Sequence, residues 1–93
     1  MKIGRVAATV VATIQVPALD GRRLLLVDLL GLDGKPTGQD LIAVDAVGAG
    51  AGETVLVLDE GNGARQVLGA PQAPVRAVVV GIVDAIAMDD GSA

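Results

Sequence analysis

Five short apolar runs, rich in Val, Leu and Ile and bounded by Gly, Pro or Asp, follow one another along this 93-residue chain. They lie at 2–14, 23–30, 40–47, 54–58 and 75–88, with one helical turn expected at 64–68. Short β-branched runs between turn signals favour strands over helices. Their spacing is typical of a small, partly open β-barrel, and the length predicts one domain over residues 1–93.

The composition predicts an oligomer. The chain has no Phe, Tyr or Trp, and 52% of its residues are apolar. A domain this short buries only about 60–65% of the surface that its unfolded chain exposes. Many small aliphatic side chains therefore remain on the outside of a single subunit. Because soluble monomers rarely expose large apolar patches, contacts between subunits are expected to cover them.

A glycine-rich segment, "AVDAVGAGAGETVLVLDEGNGAR" at residues 43–65, raises the question of a phosphate-binding loop. Its glycines Gly48, Gly50 and Gly52 alternate, whereas a dinucleotide fingerprint reads G-x-G-x-x-G and opens a helix. Here a strand-like run follows instead, and no lysine stands where a P-loop requires one. We expect a tight connection between two strands, in which glycine permits close backbone approach.

The chain is poorly supplied with catalytic groups. It has no His and no Cys, and its one serine, Ser92, lies in the tail. Neither a Ser-His-Asp arrangement nor a His or Cys metal site can form. The carboxylate pairs Asp59-Glu60 and Asp89-Asp90 lie in polar, turn-like surroundings and are interpreted as solvated charge. We therefore predict a protein that is not an enzyme and that uses no cofactor or metal.

Charge and hydropathy narrow the range of partners. The net charge is −4, which disfavours both nucleic acid and an anionic membrane surface. Lys2 and Arg5 precede an apolar run as in a secretory signal, but Thr9 and Thr13 interrupt that run. We interpret it as a first strand, and no run approaches the ~20 apolar residues of a membrane span. A cytoplasmic protein is expected.

Four segments occur in order: "MKIGRVAATVVAT", "LDGRRLLLVDLL", "IAVDAVGAGAGETVLVLDEGNGAR" and "VVVGIVDAI". Together they resemble the pentameric vertex proteins of bacterial microcompartment shells, the EutN/CcmL family. The resemblance covers nearly the whole chain, and its most specific part is "AVDAVGAGAGETVLV…GAR" followed by "GIVD". The chain departs from the family at Gln15 and Arg76, where the family often has a lysine and an acidic residue.

The resemblance implies an all-β, five-stranded, OB-like barrel that assembles into a ring-shaped homopentamer. Such rings are structural and cap the vertices of a polyhedral shell built from hexameric shell proteins. The implied partners are further copies of the chain and those hexamers, in the bacterial cytoplasm, in a carboxysome or a catabolic compartment. Two alternatives stay open: a small β-barrel ligand-binding or adaptor module, and a nucleotide-binding enzyme subunit.

The family resemblance also suggests which residues lie at a subunit interface or pore rim. Asp45 is either an outward, solvated carboxylate or a structural group near the subunit contact. Arg65 is either a surface charge or a guanidinium that bridges subunits, because its planar fork suits carboxylates at interfaces. Its candidate partners are Glu53, Asp45 and Asp84. The full set of expected interface or rim residues is Asp45, Gly48, Gly50, Gly52, Glu53, Arg65 and Asp84.

Overall fold

Five strands form the part of the chain that the computed structural model describes, which comprises residues 1–11, 21–60, 64 and 76–85. They are β1 (Lys2–Val10), β2 (Leu24–Leu30), β3 (Pro36–Asp45), β4 (Thr54–Asp59) and β5 (Ala77–Ile82). No helix within these described ranges is long and apolar enough to cross a membrane. The predicted all-β, five-stranded architecture is confirmed.

The strands close into a barrel in the order β1-β2-β3-β5-β4, with β4 returning to β1. Every neighbouring pair is antiparallel except β3 and β5, which run parallel. That parallel seam is short, with Val44 opposite Val78 and Asp45 opposite Val79. It nevertheless completes the ring of strands, so the prediction of a partly open barrel is wrong.

The strand bounds differ from those predicted at both ends of the chain. β1 ends at Val10, and the last three residues of the first predicted run lie outside the described residues. β5 ends at Ile82, and residues 83–85 are not in a strand. β3 begins four residues early, at Pro36, since a proline is tolerated at the first position of a strand. In the predicted helical turn, only Ala64 is described, and it is helical.

Small aliphatic side chains fill the inside of the barrel. Each fully buried Val or Leu contributes roughly 1.5–3 kcal/mol relative to exposure. A second, smaller cluster lies on the outside of the parallel seam, where Val44 and Val78 pack with Ala64. The buried residues of the interior cluster are Val6, Leu25, Val27, Ala43, Ala49, Val55, Val57, Ala77 and Val79.

β1 runs unusually close to β2 at Gly4. Gly4 is buried and lies opposite Leu29 of β2 and Val55 of β4. A Cβ atom there would overlap the Cγ1 atom of Val27 and would lie 2.9 Å from the carbonyl oxygen of Asp28. Only glycine fits at this position, so the close packing of β1 against β2 depends on the absence of a side chain at Gly4.

Candidate functional site

The carboxylate of Asp45 organises the connection between β3 and β4. Its Oδ1 atom accepts hydrogen bonds from the backbone N–H groups of Val47 (3.0 Å), Gly48 (2.9 Å) and Ala49 (3.3 Å). Its Oδ2 atom lies 3.5 Å from Nη1 of Arg23, and the Asp45 side chain is only 2% exposed. The interpretation of Asp45 as an outward, solvated carboxylate is therefore wrong.

Arg23 completes this cluster, and the sequence analysis missed it. Its Nη2 atom donates to the carbonyl oxygen of Ala49 (3.0 Å) and to Oγ1 of Thr9 (3.4 Å). One guanidinium thus joins β1, the residue before β2 and the β3–β4 connection. The backbone N–H of Asp45 donates to the carbonyl of Arg23 at 2.9 Å, so the two residues lie directly opposite each other. The β2–β3 register, once known, would have revealed the pair.

Hydrogen bonds join Gly50 and Gly52, in the second half of the glycine segment, to Glu53 and to β1. Oε1 of Glu53 accepts the backbone N–H of Gly50 at 2.6 Å. The N–H of Gly52 donates to the carbonyl of Val6 at 2.8 Å, and the N–H of Val6 donates to the carbonyl of Glu53 at 2.9 Å. Gly48 and Gly52 have φ angles of 77° and 87°, a conformation that favours glycine. The predicted tight connection between two strands is confirmed.

These hydrogen bonds answer the question of a phosphate site. A phosphate-binding loop needs backbone N–H groups that are free to point at the ligand. Here the four consecutive N–H groups of residues 47–50 already donate to the carboxylates of Asp45 and Glu53. An incoming anion would have to displace those internal acceptors against their negative charge. The geometry supports a rigid loop rather than an anion cradle.

The structure thus brings five of the seven expected site residues into one loop: Asp45, Gly48, Gly50, Gly52 and Glu53. Asp84 lies beyond the end of β5 and is exposed. The N–H of Val83 donates to the carbonyl of Thr54 at 2.8 Å, which places Asp84 beside the start of β4. Arg65 lies outside the described residues. The expected contact between these carboxylates and Arg65 therefore stays a prediction.

A second ionic cluster ties three strands at the opposite end of the barrel. Oδ2 of Asp59 lies 2.9 Å from Nζ of Lys2, and Nε of Arg76 donates to Oδ1 of Asp59 at 3.1 Å. The Asp59 side chain is 12% exposed and stands at the end of β4, between the starts of β1 and β5. The interpretation of Asp59 as a solvated turn residue is wrong, whereas the Asp89-Asp90 pair lies outside the described residues.

Asp59 gives the fold a small sensitivity to acid. The hydrogen bond from Lys2, with further help from Arg76, lowers the pKa of Asp59 against the opposing effect of burial. A lowered folded-state pKa means that the ion pairs stabilise the fold above about pH 4 and lose this effect as pH falls through the folded-state pKa. Because the side chains of Lys2 and Arg76 are 47% and 82% exposed, the two ion pairs add no more than about 1 kcal/mol to the free energy of unfolding.

We expect Asp59→Asn to flatten the fall in unfolding free energy between about pH 5 and pH 3, because the variant has no carboxylate to protonate. Urea unfolding followed by circular dichroism at each pH measures the effect. Lys35→Gln, a change to an exposed lysine of the β2–β3 loop, is the control and keeps the wild-type slope. Equal slopes for the wild type and Asp59→Asn would contradict the prediction.

Comparison with known proteins identifies the family of this chain. Residues 1–84 match the family described as ethanolamine utilisation protein EutN/carboxysome. The chain belongs to the EutN/CcmL family. The resemblance noted from the sequence is therefore confirmed.

Members of the EutN/CcmL family with assigned roles are similar over almost their full length. The carboxysome shell vertex protein CcmL of Gloeobacter violaceus is 44% identical over 97% of this chain and 89% of its own. The bacterial microcompartment shell vertex protein PduN of Salmonella typhimurium is 46% identical over 92% of this chain and 98% of its own. Both names describe structural shell proteins.

Solved structures of EutN/CcmL proteins share the fold. The Gloeobacter violaceus CcmL structure superposes with a TM-score of 0.88 at 44% identity, covering 96% of this chain and 91% of that one. The GrpN pentameric microcompartment shell protein from Rhodospirillum rubrum gives a TM-score of 0.84 at 38% identity, covering 97% and 100%. The closed five-stranded barrel is thus the fold of the EutN/CcmL family.

Proposed function

We propose that this chain is a structural protein of a bacterial microcompartment shell, in the cytoplasm, where a ring-shaped homopentamer of it caps the shell's vertices. The observation that carries the proposal is the nearly full-length similarity, in both sequence and fold, to proteins named as shell vertex proteins. A capping role needs a subunit of fixed shape rather than a reactive site. The β3–β4 loop, with its charges satisfied internally, has that character.

Shell geometry explains why such a ring would be needed. Hexagonal tiles alone cover a flat sheet, and a closed polyhedron requires pentagons at its corners. We propose that the edges of the ring contact hexameric shell proteins, with the five edges acting together. Several modest contacts made at once bind far more strongly than one, because each later contact forms within the same particle.

The interface or pore-rim residues expected from the sequence stay part of this proposal. They are Asp45, Gly48, Gly50, Gly52, Glu53, Arg65 and Asp84. The internal hydrogen bonds of the β3–β4 loop support it, because a loop of fixed shape can present the same surface to each neighbour in a ring. Arg65 is the proposed bridge between subunits, toward a carboxylate of the adjacent copy.

The test has two parts. Native mass spectrometry at micromolar concentration should show particles of five copies. Co-expression of hexameric shell proteins with this chain should then give closed polyhedral particles by electron microscopy, with the chain present in small proportion. Hexamers without it should give sheets, tubes or particles with open corners. A dominant monomer, dimer or hexamer, or equal closure in its absence, would contradict the proposal.

A further inference from the structure

Strand β3 has one open edge over most of its length. Its register with β2 runs from Val44, opposite Leu24, back to Pro36, opposite Leu30. Its register with β5 begins only at Val44. Among the described residues, the part of β3 before Val44 therefore has a strand on one side only. An edge of this kind presents backbone N–H and C=O groups that can pair with another chain.

The ladder with β2 shows which backbone groups face the open edge. The N–H of Asp45 donates to the carbonyl of Arg23, its opposite residue on the β2 side. Residues of an antiparallel pair alternate between those that exchange hydrogen bonds and those that do not. Asp45 is odd-numbered, so the even-numbered Asp40 and Ile42 direct their N–H and C=O groups away from β2. These groups can pair with a further extended backbone.

A groove of about 500 Å³ lies beside this edge. The volume is in the range of about 300–1,000 Å³ that is typical of ligand-binding clefts. β3 supplies one part of its lining, and the start of β1, the end of β4 and the residue before β5 supply another part. We call it the β3 edge groove and define it by Asp40, Leu41, Ile42, Lys2, Asp59 and Arg76.

The charges of the β3 edge groove favour an acidic ligand. Lys2 and Arg76 both bind Asp59, at 2.9 Å and 3.1 Å, so two cations share one carboxylate. The Arg76 side chain is 82% exposed, and its contact with Asp59 is made through Nε. The Nη groups at the end of the guanidinium can therefore take a second carboxylate. Leu41 packs against the interior cluster, so the carboxylate of its neighbour Asp40 lies on the outer face of β3.

We propose that the β3 edge groove binds an extended, acidic segment of a partner protein by strand addition to β3. The backbone of that segment pairs with Asp40 and Ile42, and one of its carboxylates binds Arg76 beside Lys2. In this mode of recognition the main-chain hydrogen bonds give affinity, and side chains at alternate positions give specificity. A second copy that met β3 edge to edge would place two Asp40 carboxylates in one short ladder, where like charges repel.

Blocked hexapeptides are the probe for this proposal. Six acetylated and amidated peptides of alternating Thr and Val, each with one Glu at a different position, cover the registers that a segment can adopt on β3. Titration of the full, isotope-labelled chain should shift the amide NMR signals of Asp40 and Ile42 saturably with at least one peptide. Gln in place of its Glu should weaken binding roughly threefold, as loss of an exposed ion pair does. N-methylation of one of its two alternate sets of backbone nitrogens should abolish binding.

Ile42→Pro tests the open edge directly. Proline removes the N–H that faces the groove, whereas the ladder with β2 uses the neighbouring Leu41 and Ala43. A strand tolerates proline where its N–H faces an open edge. Ile42→Ala is the matched control, because it shortens the side chain and keeps the N–H. We expect Ile42→Pro to weaken peptide binding at least about tenfold and Ile42→Ala no more than about threefold.

Each outcome supports or overturns the inference. No saturable shift with any of the six peptides, or equal binding by Ile42→Pro and Ile42→Ala, overturns it. Loss of five-copy particles in an Ile42→Pro variant that keeps its strand content also overturns it, because a neighbouring copy would then occupy the groove. If Ile42→Pro loses its strand content, Arg76→Gln decides, since it should remove the preference for Glu over Gln. A wild-type chain that binds peptide but forms no ring contradicts the proposed function alone.

Discussion

Asp45→Ala is expected to lower the free energy of unfolding by about 3 kcal/mol, the largest loss from any polar substitution that we predict. The change leaves three backbone N–H donors without their acceptor and leaves Arg23 without its carboxylate. The buried N–H of Ala49 would lose its partner at a cost of about 1–3 kcal/mol, whereas the exposed N–H groups of Val47 and Gly48 can turn to water. Water that enters the opened loop can hydrogen-bond to some of the groups that lose Asp45. The expected loss therefore stays near the top of the range for one unpaired donor and does not reach the sum over all of them.

Asp45→Asn is the matched control for this prediction. Its side-chain oxygen can still accept the loop N–H groups, whereas the ionic contact with Arg23 is lost, so we expect a loss of only about 1 kcal/mol. Urea unfolding should be compared at one protein concentration, because the stability of the proposed oligomer would depend on concentration. Wild-type stability in Asp45→Ala would show that the hydrogen bonds of the loop contribute nothing.

Gly4→Ala is expected to cost roughly 2–3 kcal/mol, and Gly4→Val to abolish folding. The new Cβ atom overlaps Val27, which is fully buried and cannot move aside, and it comes within 2.9 Å of the backbone carbonyl of Asp28. Overpacking a filled core typically costs about 1–3 kcal/mol, and here rigid backbone adds to it.

Gly81→Ala in β5 is the matched control for Gly4→Ala. Its Cβ atom would meet the Cβ of Leu56 at 3.8 Å, an ordinary contact. We expect that variant to equal the wild type or to gain up to about 1 kcal/mol, because alanine restricts the unfolded chain. Thermal unfolding of both variants measures the difference. Equal stability of the two would contradict the close approach of β1 and β2.

The sequence predicts the features of this fold that depend on local patterns. β-branched runs between turn residues locate each of the five strands in the described residues, and the pattern of Gly48, Gly50 and Gly52 before a strand-like run indicates a tight connection. The family resemblance supplies the barrel type. Pro36 marks the limit of local rules, because a Lys-Pro pair suggests a loop wherever it stands, yet here it begins a strand.

Long-range pairing explains what the sequence analysis missed. Asp59 is interpreted as solvated because its neighbours in the chain are polar, but its partners Lys2 and Arg76 come from two other strands. Asp45 and Arg23 meet only because of the β2–β3 register. Barrel closure fixes such registers, and no periodicity within one strand encodes them. Interpreting a lone carboxylate in a turn therefore requires the topology first.

The position of β5 in the barrel determines when a subunit can be completed during synthesis. β5 is the final strand in the described part of the chain, yet it lies between β3 and β4 and forms both of the ladders that close the ring of strands. β1, β2 and β3 can pair as they leave the ribosome, because their contacts are between consecutive strands. The barrel closes only after residues 77–82 have emerged. Assembly of the proposed ring would therefore begin only after β5 is released, which would keep unfinished subunits out of the proposed particle.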